Sequence, residues 1–399
     1  MIFIKNDACA KSVLQIQSLS LGEGSCLKEM VLRKWKTALE IVNGKNQKDV
    51  ISINGNYPIY GSGGVIGRAT DFLCPAGTTI VGRKGTINRP IYVNDPFWNV
   101  DTAFGLVPGN ELNSKYLYYF CCGFNFTKLD NSTTIPSLSK SVLLEIEMPL
   151  PPLTEQERIV ARIEELFSDL DKGVEVLQTI KAQLKVYRQA VLKEAFEPKS
   201  GWVLKTSAEI GEVNLGRQRS PKNVSNNYPT KYIRAANITE QGLNLSDLLE
   251  MEFTPSERQK YTLVQGDIVL SEASGSIRQV GKPAIWKNEI EGCCFQNTVI
   301  RHRVNGANPQ YVFWYYKYCY VSGLFSKIVG GVGINHIGAK NFSELVVPLA
   351  PRGEQSRIVT EIESRLSVCD KIEQTVDESL AKAESLRQSI LKKAFEGRL

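Results

Sequence analysis

Histidine is nearly missing from this chain: 399 residues carry two, His302 and His336, both in the second half. That excludes a histidine-based site built twice and leaves little from which to build a zinc centre. The nine cysteines are odd in number and show no C-x-x-C spacing. They read as reduced, mostly buried thiols rather than as a disulfide framework or a metal cage. No run of eighteen apolar residues occurs, because the aromatic stretch Tyr311 to Tyr320 is interrupted by Lys317, so no membrane span is expected. The opening MIFIKNDACAK lacks a basic segment followed by an apolar one, and no secretory signal is read there. Cytoplasmic residence is the expectation.

Nucleotide and catalytic motifs are also wanting. The glycine-rich stretch Tyr60 to Gly67 lacks the preceding apolar strand of a βαβ unit. Gly275 to Lys282 is one residue too long for a phosphate loop, with Pro283 where the metal-binding hydroxyl belongs. Asn308-Pro309-Gln310-Tyr311 is one residue from an N-P-P-Y adenine clamp. It falls opposite Asn113-Ser114-Lys115-Tyr116, however, where an Asn cap and a Pro at the first helical position simply start a helix. Asp267 and Glu272 approach a nuclease pattern, but Ser274 stands where the lysine should be. No cofactor site and no active site are expected.

What the chain does have is a long segment repeated. Pro149 to Glu197 and Pro348 to Glu396 align without a gap at an offset of 199, with 21 of 49 positions identical. Apolar residues recur at spacings of three and four: Ile159, Ile163, Leu166, Leu170, Val174, Leu177, Ile180 and Leu184 in the first copy, and Ile358, Ile362, Leu366, Cys369, Ile372, Val376 and Leu380 in the second. Each copy is expected to form one amphipathic helix with a narrow seam. Thr154 and Glu157 fit a capping box, with Pro151 and Pro152 just outside it. A helix of about 44 residues would run roughly 65 Å and needs a partner along its length. The other copy is the obvious one.

The repeats follow two globular stretches that share little sequence. Each mixes short β-like runs, such as Gly77 to Gly85 and Gly266 to Ser276, with an aromatic helix, Ser114 to Phe120 and Gln310 to Tyr318. The expected division is a leading segment 1–30, a globular module 31–150, a spacer helix 151–200, a second module 201–349 and a second spacer helix 350–399. The net charge of +6 lies in the modules. Lys plus Arg against Asp plus Glu is 12 to 9 over residues 30–148 and 16 to 12 over 201–347, whereas the helical segments 154–200 and 352–399 stand at 8 to 9 and 9 to 9. Such a bias points to the modules as the parts that meet a polyanion.

The candidate contacts are loops that combine basic residues with hydroxyl and amide groups. In the first module these are Arg83, Lys84, Thr86, Asn88 and Arg89. In the second they are Ser274, Ser276, Arg278 and Lys282, a basic loop with Arg217, Arg219 and Lys222, and the tip of a Gly-rich segment, Asn335 and His336. Guanidinium, ammonium, hydroxyl and amide groups are the donors used on phosphates and base edges. For any one of them, a solvated surface charge is the commoner role.

The duplicated PLxPxxEQxRIV entry to each helix, the Ala-Phe-Glu ends (Ala195 to Glu197, Ala394 to Glu396), the loop Gly82 to Gly85, Tyr57 to Gly67 and Gly266 to Ser271 together resemble the specificity subunits of type I restriction-modification systems. The resemblance covers nearly the whole chain from about residue 31. It implies an α+β protein in which two mixed α/β target-recognition domains are separated by two long helices paired as an antiparallel coiled coil, a pseudo-twofold internal repeat. Each domain would read one half of a bipartite site on double-stranded DNA, and the helices would set the spacer. Methyltransferase (modification) subunits and restriction (endonuclease and translocase) subunits would supply the chemistry. The competing classes are a coiled-coil scaffold with no DNA role and a stand-alone methyltransferase or nuclease.

Overall fold

The computed structural model describes residues 31–399 except 131, 133, 219–228, 275 and 328–334, and describes no side chain at 274, 277 or 335. The two repeats form helices Leu153–Ala195, of 43 residues, and Arg352–Phe395, of 44. The first begins one residue before the expected capping box. The Pro152 carbonyl accepts from the amides of Glu155 and Gln156, so Thr154 lies inside the first turn rather than capping it.

The described residues fold as two compact units, 31–180 with 375–399 and 181–374, and each contains part of both helices. In the first unit the start of the first long helix packs on the end of the second. Ile159, Ile163 and Leu166 share a core with Ile390, Leu391 and Ala394, and Arg387 reaches Asp171 and covers the Phe167 ring at 4.6 Å. In the second unit the end of the first helix packs on the start of the second. Val191, Leu192 and Phe196 share a core with Ile358, Ile362 and Leu366, and Arg188 pairs with Asp370 at 2.7 Å and Glu373 at 2.9 Å. Within each unit the partners run antiparallel and bury their apolar seams against each other.

The remainder of each unit repeats one topology, which the dissimilar sequences hide. In the first unit an antiparallel sheet orders Leu39–Asn43, Ala103–Pro108, Thr78–Gly82 and Ile91–Val93; in the second the order is Gly211–Leu215, Val299–Val304, Ile268–Ser271 and Pro283–Ile285. A three-stranded sheet accompanies each: Gly64–Ala69, Tyr57–Gly61 and Trp98–Asn99 against Leu249–Glu252, Pro229–Ile233 and Cys294–Phe295, with the last pairing parallel in both. The central strands are buried on both faces, which accounts for their continuous apolar runs.

An aromatic helix joins each module to its rod segment. Ser114–Gly123 starts under the side-chain cap of Asn113, and Pro309–Val321 under that of Asn308 with Pro309 in the first turn. The Asn308 to Tyr311 stretch is therefore a helix start. Tyr116 and Tyr311 donate their hydroxyls to the carbonyls of Pro149 and Pro348, and Phe395 and Phe196 from the helix ends stack edge-on against the same two rings. The seven cysteines among the described residues are free, six of them buried. Among those residues no helix is long and apolar enough to cross a membrane, and no cluster of three or more His, Cys, Asp or Glu could hold a metal.

Candidate nucleic-acid interface

In the first unit the buried strand Thr78–Gly82 delivers the chain to the basic loop. The Arg83 and Lys84 amides donate to the Thr102 carbonyl at 2.8 and 3.2 Å, the Gly85 amide donates to Pro136, and the Arg83 carbonyl accepts from Leu138. Lys84 also bridges Ser137. Gly82 must lack a side chain, because a Cβ there would lie 2.0 Å from the Thr86 carbonyl oxygen; Gly85 adopts φ +79°, a region open to glycine. Buried Ile87 pins the loop, leaving Lys84 and Thr86 exposed and Arg83 half-buried. The Arg83 guanidinium donates to the Asp101 carbonyl at 3.3 Å and stands 5.9 Å from the Phe104 ring.

Two residues of that sequence cluster are directed elsewhere. Asn88 is exposed, but its side-chain oxygen accepts from the Phe126 amide at 2.9 Å. Asn88 and Arg89 line a cleft of about 830 Å³ against the long helices, whereas Arg83 faces a different depression beside Ser137 and Lys140.

The second unit repeats the loop frame with other side chains. Strand Ile268–Ser271 leads to Glu272, whose amide donates to the Thr298 carbonyl at 2.8 Å and whose carbonyl accepts from Ile337 at 3.1 Å. The next residues pair antiparallel with the segment before the short helix Ala339–Ser343: Ala273 opposite His336, and Ser274 opposite Asn335. Two stretches about 60 residues apart in sequence are thus brought side by side. Ser276, Arg278 and His336 are exposed and Lys282 is half-buried. The Ser271 hydroxyl donates to the Gln279 carbonyl and accepts from the Lys282 amide. At Gly281, φ +79°, a Cβ would strike the Phe325 ring at 2.6 Å. Burial pushes the Glu272 carboxyl above its usual range, an effect that His336 and the Gly338 amide partly offset.

Arg217 does not belong with these residues. It is 8% exposed, pairs with Glu257 at 2.7 Å, donates to the Glu252 carbonyl and lies 5.2 Å from the Phe253 ring. Its guanidinium holds the fold together and is not free to meet a ligand. Arg219 and Lys222 lie outside the described residues.

Each unit also carries a cleft between its aromatic helix and its pair of long helices. One holds Tyr118, Tyr119, Glu164, Asp171, Arg387 and Gln388 in about 830 Å³; the other holds Phe313, Trp314, Glu363, Asp370, Arg188 and Gln189 in about 1090 Å³. Glu, Asp, Arg and Gln in the two sets are identical residues 199 apart in the repeat. The geometry repeats as well: Tyr119 donates to Glu164, and Trp314 to Glu363, both at 3.4 Å.

The profile of the type I restriction modification DNA specificity domain matches twice, over residues 29–186 and 199–382. The chain belongs to that family. The specificity subunit of the EcoKI restriction enzyme from Escherichia coli K12 is 26% identical over 346 residues, covering 80% of this chain and 73% of the relative. That of StySPI from Salmonella potsdam is 26% identical over 345 residues with the same coverage. Among solved structures, a chain of a type I R-M system superposes with a TM-score of 0.75 at 17% identity, over 94% of this chain and all of that one. The HsdS subunit of Thermoanaerobacter tengcongensis gives 0.57 at 17%, over 96% and 100%. Both share the fold.

Within this specificity-family chain, sequence reasoning missed two features. One is Glu272, weighed only as a nuclease carboxylate. The other is the glutamine of the repeated EQxRIV. Gln156 and Gln355 are buried, accept from the Asn113 and Asn308 amides at 2.8 Å, and donate to the Pro151 and Ala350 carbonyls at 2.8 Å. Their exact repetition was the visible signal; the latch was not.

Proposed function

We propose that this chain is the DNA-reading subunit of a type I restriction-modification complex, with modules 31–150 and 201–349 each reading one half of a bipartite, asymmetric duplex site. Helical segments 151–200 and 350–399 serve as the spacer, and residues 1–30 precede the first module. One observation carries the reading: two units share a strand order and a rod attachment yet present different side chains on the same loop frame. A common scaffold with divergent loops is what two different half-sites require. The reading residues are Arg83, Lys84 and Thr86 in the first module and Ser274, Ser276, Arg278, Lys282, Asn335 and His336 in the second. Asn88 and Arg89 are assigned to phosphate contact at most, and Arg217, buried against Glu257, takes no part.

The subunit is non-catalytic. Methyltransferase and restriction subunits supply methyl transfer and cleavage, and the complex acts in the cytoplasm, where its DNA is. The twin clefts favour two copies of one partner, because repeat-related residues line both, and the methyltransferase subunit is the partner assigned to them. The deciding experiment maps methylated sites in a host expressing the chain with its methyltransferase partner, before and after residues 201–349 are exchanged for those of another specificity subunit. One half of the motif should change and the other persist. If both halves change, or neither does, the division of reading between modules is wrong.

A further inference from the structure

Within the reading loops, one position is fixed in both units by the same three backbone constraints. The last strand residue pairs across the sheet, Gly82 with Ala103 and Ser271 with Val299. The next amide donates to a threonine carbonyl, Arg83 to Thr102 and Glu272 to Thr298. The following carbonyl accepts from the residue that enters the short-helix segment, Leu138 on Arg83 and Ile337 on Glu272. With both flanking peptides held, the two side chains leave one and the same place on the frame, and they are a guanidinium and a carboxylate.

Neither charge is neutralised by a lysine, arginine or carboxylate partner among the described residues. Arg83 has no carboxylate partner among the described residues, only a long hydrogen bond to a carbonyl and a ring beside it. Glu272 is half-buried; His336 and the Gly338 amide only partly offset that burial, and no lysine or arginine pairs with it among the described residues. A carboxylate there is disfavoured by burial and, in a phosphate-binding loop, by like charge as well. Base edges offer the compensation. Arg donates in a fork to O6 and N7 of guanine, and Glu accepts from an exocyclic amino group, most simply N4 of cytosine.

We propose that the residue following the central strand is a base-reading position in both modules, Arg83 selecting guanine in one half-site and Glu272 selecting a base with a major-groove amino group, cytosine or adenine, in the other. The inference rests on the DNA-reading function proposed above.

The test uses the full chain assembled with its methyltransferase subunits in a host free of other adenine and cytosine methylation, with methylated motifs mapped for the wild type, Glu272→Ala, Glu272→Gln and Arg83→Ala. In the wild type one base pair of the second half-site should depend on Glu272. Its preference over other bases, roughly ten- to a hundredfold, should collapse to within about threefold in Glu272→Ala while the first half-site is untouched. Arg83→Ala should do the same to a guanine of the first half-site only. Glu272→Gln keeps the side chain's shape and covers the case in which the alanine variant unfolds; it should alter which base is preferred at that one position. Unchanged motifs in the variants, or changes in both halves at once, would overturn the assignment. A wild-type complex that methylates no defined motif would instead defeat the DNA-reading function itself, and this inference with it.

Discussion

At Gln156 one amide side chain holds three backbone groups from the start of the aromatic helix and the entry to the long helix. Replacing it with leucine takes that partner from the Asn113 amide and the Glu111 and Pro151 carbonyls, all in a part-buried setting, a loss of about 1–3 kcal/mol. Gln156→Leu should lower the unfolding free energy of the first unit by that amount, read as a lower urea midpoint, and Gln355→Leu that of the second; an unchanged midpoint would refute the latch. His302 makes a separate prediction. It is fully buried, its Nδ1 is 2.8 Å from the Tyr316 hydroxyl, and burial pushes its pKa from 6.5 down to about 4. The folded state therefore keeps the ring neutral while the unfolded chain protonates it. The contribution is intact above pH 6.5 and is lost as pH falls toward 4, at most roughly 3 kcal/mol. The acid sensitivity of the second unit between those pH values should be smaller in His302→Gln, when each protein is compared with itself at pH 7.5. Residue identity alone announced neither role. Gln, His and Arg acquire their functions from groups brought up by the fold, as Arg217 shows, whose partner Glu257 lies 40 positions away.

Among the elements, the long helices were the most legible. A three-and-four spacing sustained over some forty residues has one common physical outcome, and the structure supplies it in both copies. Their first turn was less legible, since Thr154 fits a capping pattern that Pro152 and Leu153 pre-empt by starting the helix a residue earlier. The aromatic helices were visible in part because Asn caps and Pro at the first turn are local devices. The clefts between those helices and the rods were not visible, although the identical residues that line them were in plain sight. Gln189 and Gln388 are exposed and repeat-related. Replacing either with tryptophan should block one cleft without disturbing the neighbouring Arg–Asp pairs. Mass measurement of the reconstituted complex should then show one fewer methyltransferase subunit per single variant and none in the double variant. Full occupancy in the double variant would move the docking surface elsewhere.

For the whole molecule, the prediction concerns length. If the rods set the spacer, a four-residue insertion after Leu177 adds one helical turn, about 6 Å, and should lengthen or shorten the spacer of the methylated site by roughly one or two base pairs. Both half-site sequences should stay as they were. Mapping methylated motifs in the inserted variant decides the matter, and an unchanged spacer would refute the ruler. The chain also divides at this scale in a way its sequence did not display: compactness groups each module with portions of both long helices, breaking at residues 180–181 and 374–375 rather than at the helix ends. Packing decides such boundaries, because a helix belongs energetically to whatever buries its seam.

The sequence by itself determined the duplication, the seam periodicity, the poverty of catalytic groups and the basic bias of the modules. Each of these is a property of order and composition along a line. The tertiary structure alone decided that two unlike modules share a strand order, that residues 273–274 pair with 335–336, and that Arg83 and Glu272 occupy one position. Strand pairing and burial join residues far apart in the chain, and hydrogen bonds made by the backbone leave almost no mark on which side chains are allowed to vary.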